Sequence, residues 1–254
     1  MNSSSKQVLA VSEGHTEVRL LKWLFEEFNL LVPDIVSLNA NLYKFYLEYE
    51  SYECDYSDLD ITAVLRSCSQ VGTKDKEKLR GKSATDLSDI FLVFDLDPHT
   101  PDFNEDALRK LLSHFNDSSD VGKLYINYPM AESFYHVPHE VLDGTMRAFP
   151  PIRFTLRELT AYKKRVNLEG IKQSRQYTQD EYKNVIQRHA GIASLITGAS
   201  VRSTHKLKVQ VGLFEIQQTN IKSSKQTTVV NTFCLLTPEI CPSRCHLEEI
   251  REDE

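Results

Sequence analysis

Asp89-Ile90-Phe91-Leu92-Val93-Phe94-Asp95-Leu96-Asp97 is the stretch on which the fold turns. Five apolar residues in a row run into two acids, and Pro98-His99-Thr100-Pro101 then stops the run. A strand that is apolar on both faces must be covered on both faces, which is the condition of a parallel sheet flanked by helices. Downstream, Phe103 to Phe115 carries Phe103, Ala107, Leu108, Leu111, Leu112 and Phe115 at helical spacing, and Lys123 to Tyr128 reads as a further strand closed by Pro129. Upstream, Gln7 to Ser12 is a short apolar strand ending at Glu13-Gly14. His15 to Asn29 follows as an amphipathic helix, with Thr16 as its expected N-cap. Strands alternating with helices predict an α/β domain over residues 1–150. Within it, Tyr43 to Asp58 is rich in tyrosines and acids, and Gly72 to Ser88 reads as a polar exposed loop or insertion.

After Pro150-Pro151 the composition turns basic and helical, which marks 151–254 as a second region with an acidic tail. Thr178 to Ile196 predicts one long helix. Leu207 to Phe214 is compatible with strand or helix, and Val229 to Leu236 with a late strand or a buried helix turn. Residues 151–246 hold 15 Lys and Arg against 6 Asp and Glu, a net of +9. Residues 1–150 hold 14 against 25, a net of −11. A polyanion would lie on the basic half.

Hydrophobic residues at 41% allow a sizeable core, and no apolar run approaches the roughly 20 residues a membrane span needs. The start, Met1 to Gln7, has no secretory apolar stretch, so a cytoplasmic protein is expected. Five scattered cysteines (Cys54, Cys68, Cys234, Cys241, Cys245) suit reduced thiols better than a disulfide framework. Cys241-Pro-Ser-Arg-Cys245-His246 has a zinc-like look but lacks a second ligand pair, apart from Cys234. There is no phosphate-cradling P-loop, so the chain is not expected to hydrolyse ATP itself.

In an open parallel sheet, functional groups gather at the carboxyl ends of strands. Glu13, Asp95 and Asp97 all fall there, and in an extended chain Asp95 and Asp97 would project to the same side. Carboxylates about 4 Å apart repel by roughly 4 kcal/mol at an effective dielectric near 20, so gathering them calls for a compensating charge. Mg2+ or Mn2+ supplies it, completing its shell with water and substrate phosphate oxygens, as in metal-assisted phosphoryl transfer. A receiver-like phosphoacceptor pocket would need an acidic pair after the first strand, which Ser12-Glu13-Gly14 does not provide.

The succession Val11-Ser12-Glu13-Gly14-His15-Thr16-Glu17, then the strand ending Asp95-Leu96-Asp97, resembles a Toprim domain. Toprim domains, in topoisomerases, primases and OLD-family nucleases, share a glutamate followed by a D-x-D element. The nearest flavour is that of small Toprim effectors of phage defence, RloB-like, abortive-infection L-type or PARIS-type, which work beside an ATPase partner. Asn127-Tyr128-Pro129-Met130-Ala131-Glu132 is similar to the N-P-x-x-E element of such proteins, with Tyr128 intruding. The resemblance covers about residues 6–140. It implies a parallel Toprim-like sheet, with Glu13 as general base or metal ligand and Asp95 and Asp97 as ligands. Glu17, a turn beyond Glu13, and Glu132 are further candidate ligands. Glu17 is also an ordinary first-turn helix acid, and Glu132 an ordinary helix-start residue. His99 after the D-x-D element could touch a phosphate, or is simply an exposed polar residue.

The implied activity is Mg2+- or Mn2+-dependent cleavage of DNA or RNA, tRNA included, by a toxic antiviral effector held in an oligomer or hetero-complex with an ATPase. Arg153, Arg157, Lys163, Lys164 and Arg165, with Tyr162 among them, could track a nucleic-acid backbone, or be a solvated helix face. The reading from a different class is a non-catalytic metal-binding interaction module of a defence complex. A primase-like nucleotidyl transferase would need more domains than 254 residues hold.

Overall fold

A computed structural model describes residues 7–52, 60–145, 150–204 and 206–248. Ile90 to Phe94 are each at most 1% exposed, so the apolar run does lie buried between layers. They belong to β3 (Leu87–Asp95). The strands and helices before it are β1 (Gln7–Ser12), α1 (His15–Glu27), β2 (Asp34–Ser37), α2 (Leu42–Glu50), α3 (Ile61–Ser67) and α4 (Thr73–Lys78). Those that follow are α5 (Glu105–His114), β4 (Asn116–Asp117) and β5 (Gly122–Asn127). The five strands form one sheet in the order β2-β1-β3-β5-β4. β1 lies parallel to β2, with Ser12 opposite Ser37, and parallel to β3, with Ser12 opposite Val93. β4 is antiparallel to β5. The architecture is therefore α/β, a mostly parallel sheet flanked by helices.

The chain divides into two compact units, Met1–Tyr125 and Ile126–Glu254, so β5 starts in the first and ends in the second. In the first, an aromatic cluster covers the sheet. Phe45 on α2 stacks on Phe94 at 5.7 Å, while Tyr49 meets Phe115 edge-on at 5.2 Å. Truncating one such buried ring to Ala costs about 3–5 kcal/mol. Gly122 is held at φ +113°, and a Cβ there would come within 3.1 Å of Leu92 and Ile90 on β3, so the position takes only glycine.

Several local expectations shift. α1 starts at His15 with Gly14, rather than Thr16, in the capping position, because Glu17 reaches back to accept the Gly14 N–H at 3.1 Å. α5 begins at Glu105, capped by Asn104, which leaves Phe103 outside the helix. The 72–88 stretch is more structured than a loop. It holds α4 and a short 3-10 turn, since Asp75 anchors α4 by accepting the Ser37 N–H at 3.0 Å.

The second unit contains β6 (Arg153–Thr155), α6 (Tyr162–Glu169), α7 (Gln179–Thr197), α8 (Leu207–Ser224), β7 (Gln226–Thr228) and α9 (Leu236–Ile240). α7 carries a full capping box, Thr178 with Glu181, and ends on Gly198 in the left-handed region at φ +68°. The ambiguous 207–214 segment is helical. Further along α8, buried Gln217 zips the helix to β7, accepting from the Thr228 N–H and the Thr227 hydroxyl at 2.8 Å and donating to Thr228 O. Val229 to Leu236 is mostly neither strand nor regular helix. Asn231 there is a hub whose amide donates to Ala131 O and Ser133 Oγ and accepts from Cys234 N. No helix among the described residues is long and apolar enough to cross a membrane.

Candidate metal-binding edge of the sheet

Parallel pairing brings the carboxyl ends of β2, β1 and β3 to one edge, and Glu13 and Asp95 leave adjacent strands there. The Asp95 backbone N–H donates to Glu13 Oε2 at 3.3 Å, so residues 82 apart in sequence meet across the end of the sheet. Both are half-buried, which places them at the surface rather than in the core.

Asp97 is also half-buried, but β3 ends at Asp95 and Asp97 adopts φ +36°. The alternation of an extended strand therefore does not carry through to Asp97, and its direction is set by the turn it opens, in which Thr100 N–H donates to Asp97 O at 3.3 Å. A non-glycine residue in the left-handed region is uncommon, with Asp and Asn the side chains that tolerate it best, and such residues concentrate at functional turns. Asn39, just beyond β2 on the same edge, is held likewise at φ +53°.

The turn is clamped by residues that the sequence pattern does not single out. Tyr43 on α2, 1% exposed, donates from its hydroxyl to the carbonyl of Leu96 at 2.6 Å, between the two acids. Asn41 caps α2 by accepting Lys44 N–H and also donates to Thr100 Oγ1 at 3.2 Å. Asn before an apolar run is a legible cap signal, but no local signal pairs it with Thr100 or Tyr43 with Leu96. His99 in this turn is exposed.

Glu17 is 4% exposed, with one carboxylate oxygen on the Gly14 N–H. Glu132 is in the second unit, 4% exposed, and its Oε1 lies 2.9 Å from Lys163 Nζ. Two sequence candidates of different kinds, an acid for metal and a base for phosphate, are thus each other's partners. Arg165 is likewise engaged, by Glu169 at 2.9 Å and Glu158 at 3.7 Å. Arg153, Arg157 and Lys164 are exposed.

In kind, the hard oxygens of Glu13 and Asp95 suit a divalent cation. Among the described residues no group of three or more His, Cys, Asp or Glu side chains is gathered to hold a metal ion. The Cys241–His246 stretch belongs to no such group, so a four-ligand zinc site is not assembled there among the described residues; burial pushes the Cys245 thiol up to about 12. Cys68, Cys234, Cys241 and Cys245 are free thiols, and Cys54 lies outside the described residues.

Comparison with protein-family models, with curated proteins and with solved structures returns no match for this chain.

Proposed function

We propose that the first unit is a Toprim-like catalytic domain that hydrolyses phosphodiester bonds of DNA or RNA with Mg2+ or Mn2+. The observation that carries this reading is the meeting of Glu13 and Asp95 at the carboxyl edge of a parallel sheet, with Asp97 in a clamped turn beside them. A bound cation would supply Lewis-acid activation of water and charge neutralisation at phosphate. Asp95 and Asp97 would hold it. Glu13 would either join them or take the proton of the attacking water, as a positioned carboxylate can. Glu17 and Glu132 are weaker candidates as ligands, being engaged at Gly14 and Lys163. By its Toprim resemblance the protein would act as a toxic effector in anti-phage defence, in the cytoplasm and in complex with an ATPase partner. The test is cleavage of labelled DNA, RNA and tRNA panels with and without Mn2+. Metal-dependent products from the wild-type chain that are lost in Asp95→Ala support the reading, and intact substrates with every metal reject it.

The second reading is a non-catalytic, metal-binding interaction module. It is favoured by the internal pairing of Lys163 and Arg165, which leaves less of the basic cluster for a nucleic-acid backbone. Mn2+ binding without cleavage of any substrate would select it.

A further inference from the structure

The second unit holds a cleft of about 130 Å3 unrelated to the sheet edge described above. Its floor is one face of α7, where Lys183 and Gln187, and Asn184 and Arg188, stand one turn apart. Both walls are pinned. On one side Asn184 donates to Leu142 O at 2.9 Å, and Gly144, at φ +74°, brings the loop so close that a Cβ would lie 3.2 Å from the Asn184 amide. On the other, Gln187 exchanges two hydrogen bonds with the Glu248 backbone, at 2.6 and 2.8 Å, and Arg202 donates to Leu247 O at 3.3 Å. The cleft is therefore a built feature rather than a gap between loose segments.

Its charge is cationic. Arg188 is 5% exposed, with Nη2 donating to Pro150 O at 3.0 Å. Burial pushes this guanidinium down to about 10. Lys183 and His246 line the same space. The Lys183 ammonium touches Asp180 at 3.0 Å, but that carboxylate is 88% exposed and its attraction is screened by water. Glu248 is the one acid among the described lining residues, against two fixed cations. The Arg188 and Lys183 cations from one helix face, with the His246 imidazole lining the same space, are side chains of the kind that recognise phosphate oxygens. The space has room for a phosphate group.

We propose that this cleft binds a phosphate group, held by Arg188 and Lys183 from α7 and by His246 from the opposite wall. The phosphate is either free inorganic phosphate or the terminal phosphate of a nucleotide chain. The proposal goes beyond the assignment of the first unit and does not depend on it.

Titration calorimetry on the full chain, with EDTA present to silence metal-dependent chemistry, tests it with three probes: inorganic phosphate, a 5′-phosphorylated oligonucleotide and the same oligonucleotide with a 5′-hydroxyl. Binding of phosphate is expected, and Lys183→Ala should weaken it about tenfold, the scale of one charge-assisted hydrogen bond. Tighter binding of the 5′-phosphorylated than of the 5′-hydroxyl oligonucleotide assigns a chain terminus, and a preference for the inorganic ion assigns free phosphate. Arg188→Gln is the sharper variant but alters a buried position. The exposed His246→Ala, combined with Lys183→Ala, keeps the test decisive whether or not Arg188→Gln folds. Absence of binding by all phosphate probes, or wild-type affinity in the double variant, overturns the proposal.

Discussion

The hydroxyl of Tyr43 donates a 2.6 Å hydrogen bond to the carbonyl of Leu96, the residue that separates Asp95 from Asp97. A fully buried phenol on α2 thereby fixes the chain where β3 gives way to the turn that carries Asp97. Phe103 packs against the same tyrosine ring at 5.5 Å, so the hydroxyl is held in position by the core behind it.

Tyr43→Phe keeps that packing and removes only the hydroxyl, leaving the Leu96 carbonyl without its phenolic donor. The expected loss is about 1–2 kcal/mol of unfolding free energy, the usual cost of a buried acceptor losing its donor. Urea denaturation measures it. If the turn positions the acids, Mn2+ affinity of the folded variant should fall as well. A variant that loses stability but binds Mn2+ like the wild type would leave Tyr43 a purely structural residue.

Asp95→Ala and Asp97→Ala should each abolish cleavage while the chain stays folded, because both side chains are half-buried at the edge of the sheet, outside its core. Glu13→Gln retains an oxygen to accept the Asp95 N–H but loses the charge and the proton-accepting capacity. Its expected rate loss is about 100-fold or more at near-native stability. Rates within a few-fold of wild type would reduce Glu13 to a hydrogen-bond acceptor for the neighbouring strand.

For nucleic-acid binding, the exposed Arg153, Arg157 and Lys164 should carry the salt dependence rather than the paired Lys163 and Arg165. Neutralising those three together should flatten the slope of log affinity against log salt by about 2–3 units, near one per phosphate contact. Lys163→Ala should instead cost on the order of 1 kcal/mol of stability by weakening the compensation of the buried Glu132 carboxylate. An equal loss of salt slope from Lys163→Ala would show that this lysine exchanges its carboxylate for phosphate on binding.

Acid should destabilise the second unit through His189. The ring is 0% exposed, its Nδ1 accepts the Asn231 N–H at 3.2 Å, and Nε2 faces Phe134 O at 3.4 Å. Burial is the largest cause that pushes the imidazole down to about 3 from its ordinary 6.5. The unfolded chain therefore takes up a proton below 6.5 that the folded chain refuses. The stabilisation is fully present above about pH 6.5 and is lost progressively as pH falls towards 3. His136 adds in the same direction, its imidazole held down by burial against the opposing pull of Glu169. Unfolding free energy should thus fall by about 1.4 kcal/mol per pH unit per fully coupled histidine, and His189→Gln should flatten the profile between pH 6.5 and 5. A profile unchanged by that substitution would place the acid sensitivity elsewhere.

The α/β class was written in local pattern, because burial on both faces forces the Ile90–Phe94 run of β3 to be apolar and α1 and α5 to carry one apolar stripe each. The same pattern marked Glu13, Asp95 and Asp97, since acids that end apolar strands stand out in any window. Short-range reading failed where the deciding contact was distant. Gly72 to Ser88 looked like an open loop because nothing local announces that Asp75 anchors to Ser37, and Leu207 to Phe214 stayed ambiguous because the glutamine zipping α8 to β7 sits beyond it. The partners of charged residues were equally hidden. A sequence displays Lys163 and Glu132 as a base and an acid 31 positions apart, and only folding sets them at 2.9 Å. Strand periodicity also ends where φ changes sign, so the backbone at Asp97, rather than its spacing from Asp95, decides where that carboxylate points. Secondary structure follows from which faces must be buried, a property of each segment. Pairing and site geometry follow from loop closure between distant segments, a property of the whole chain.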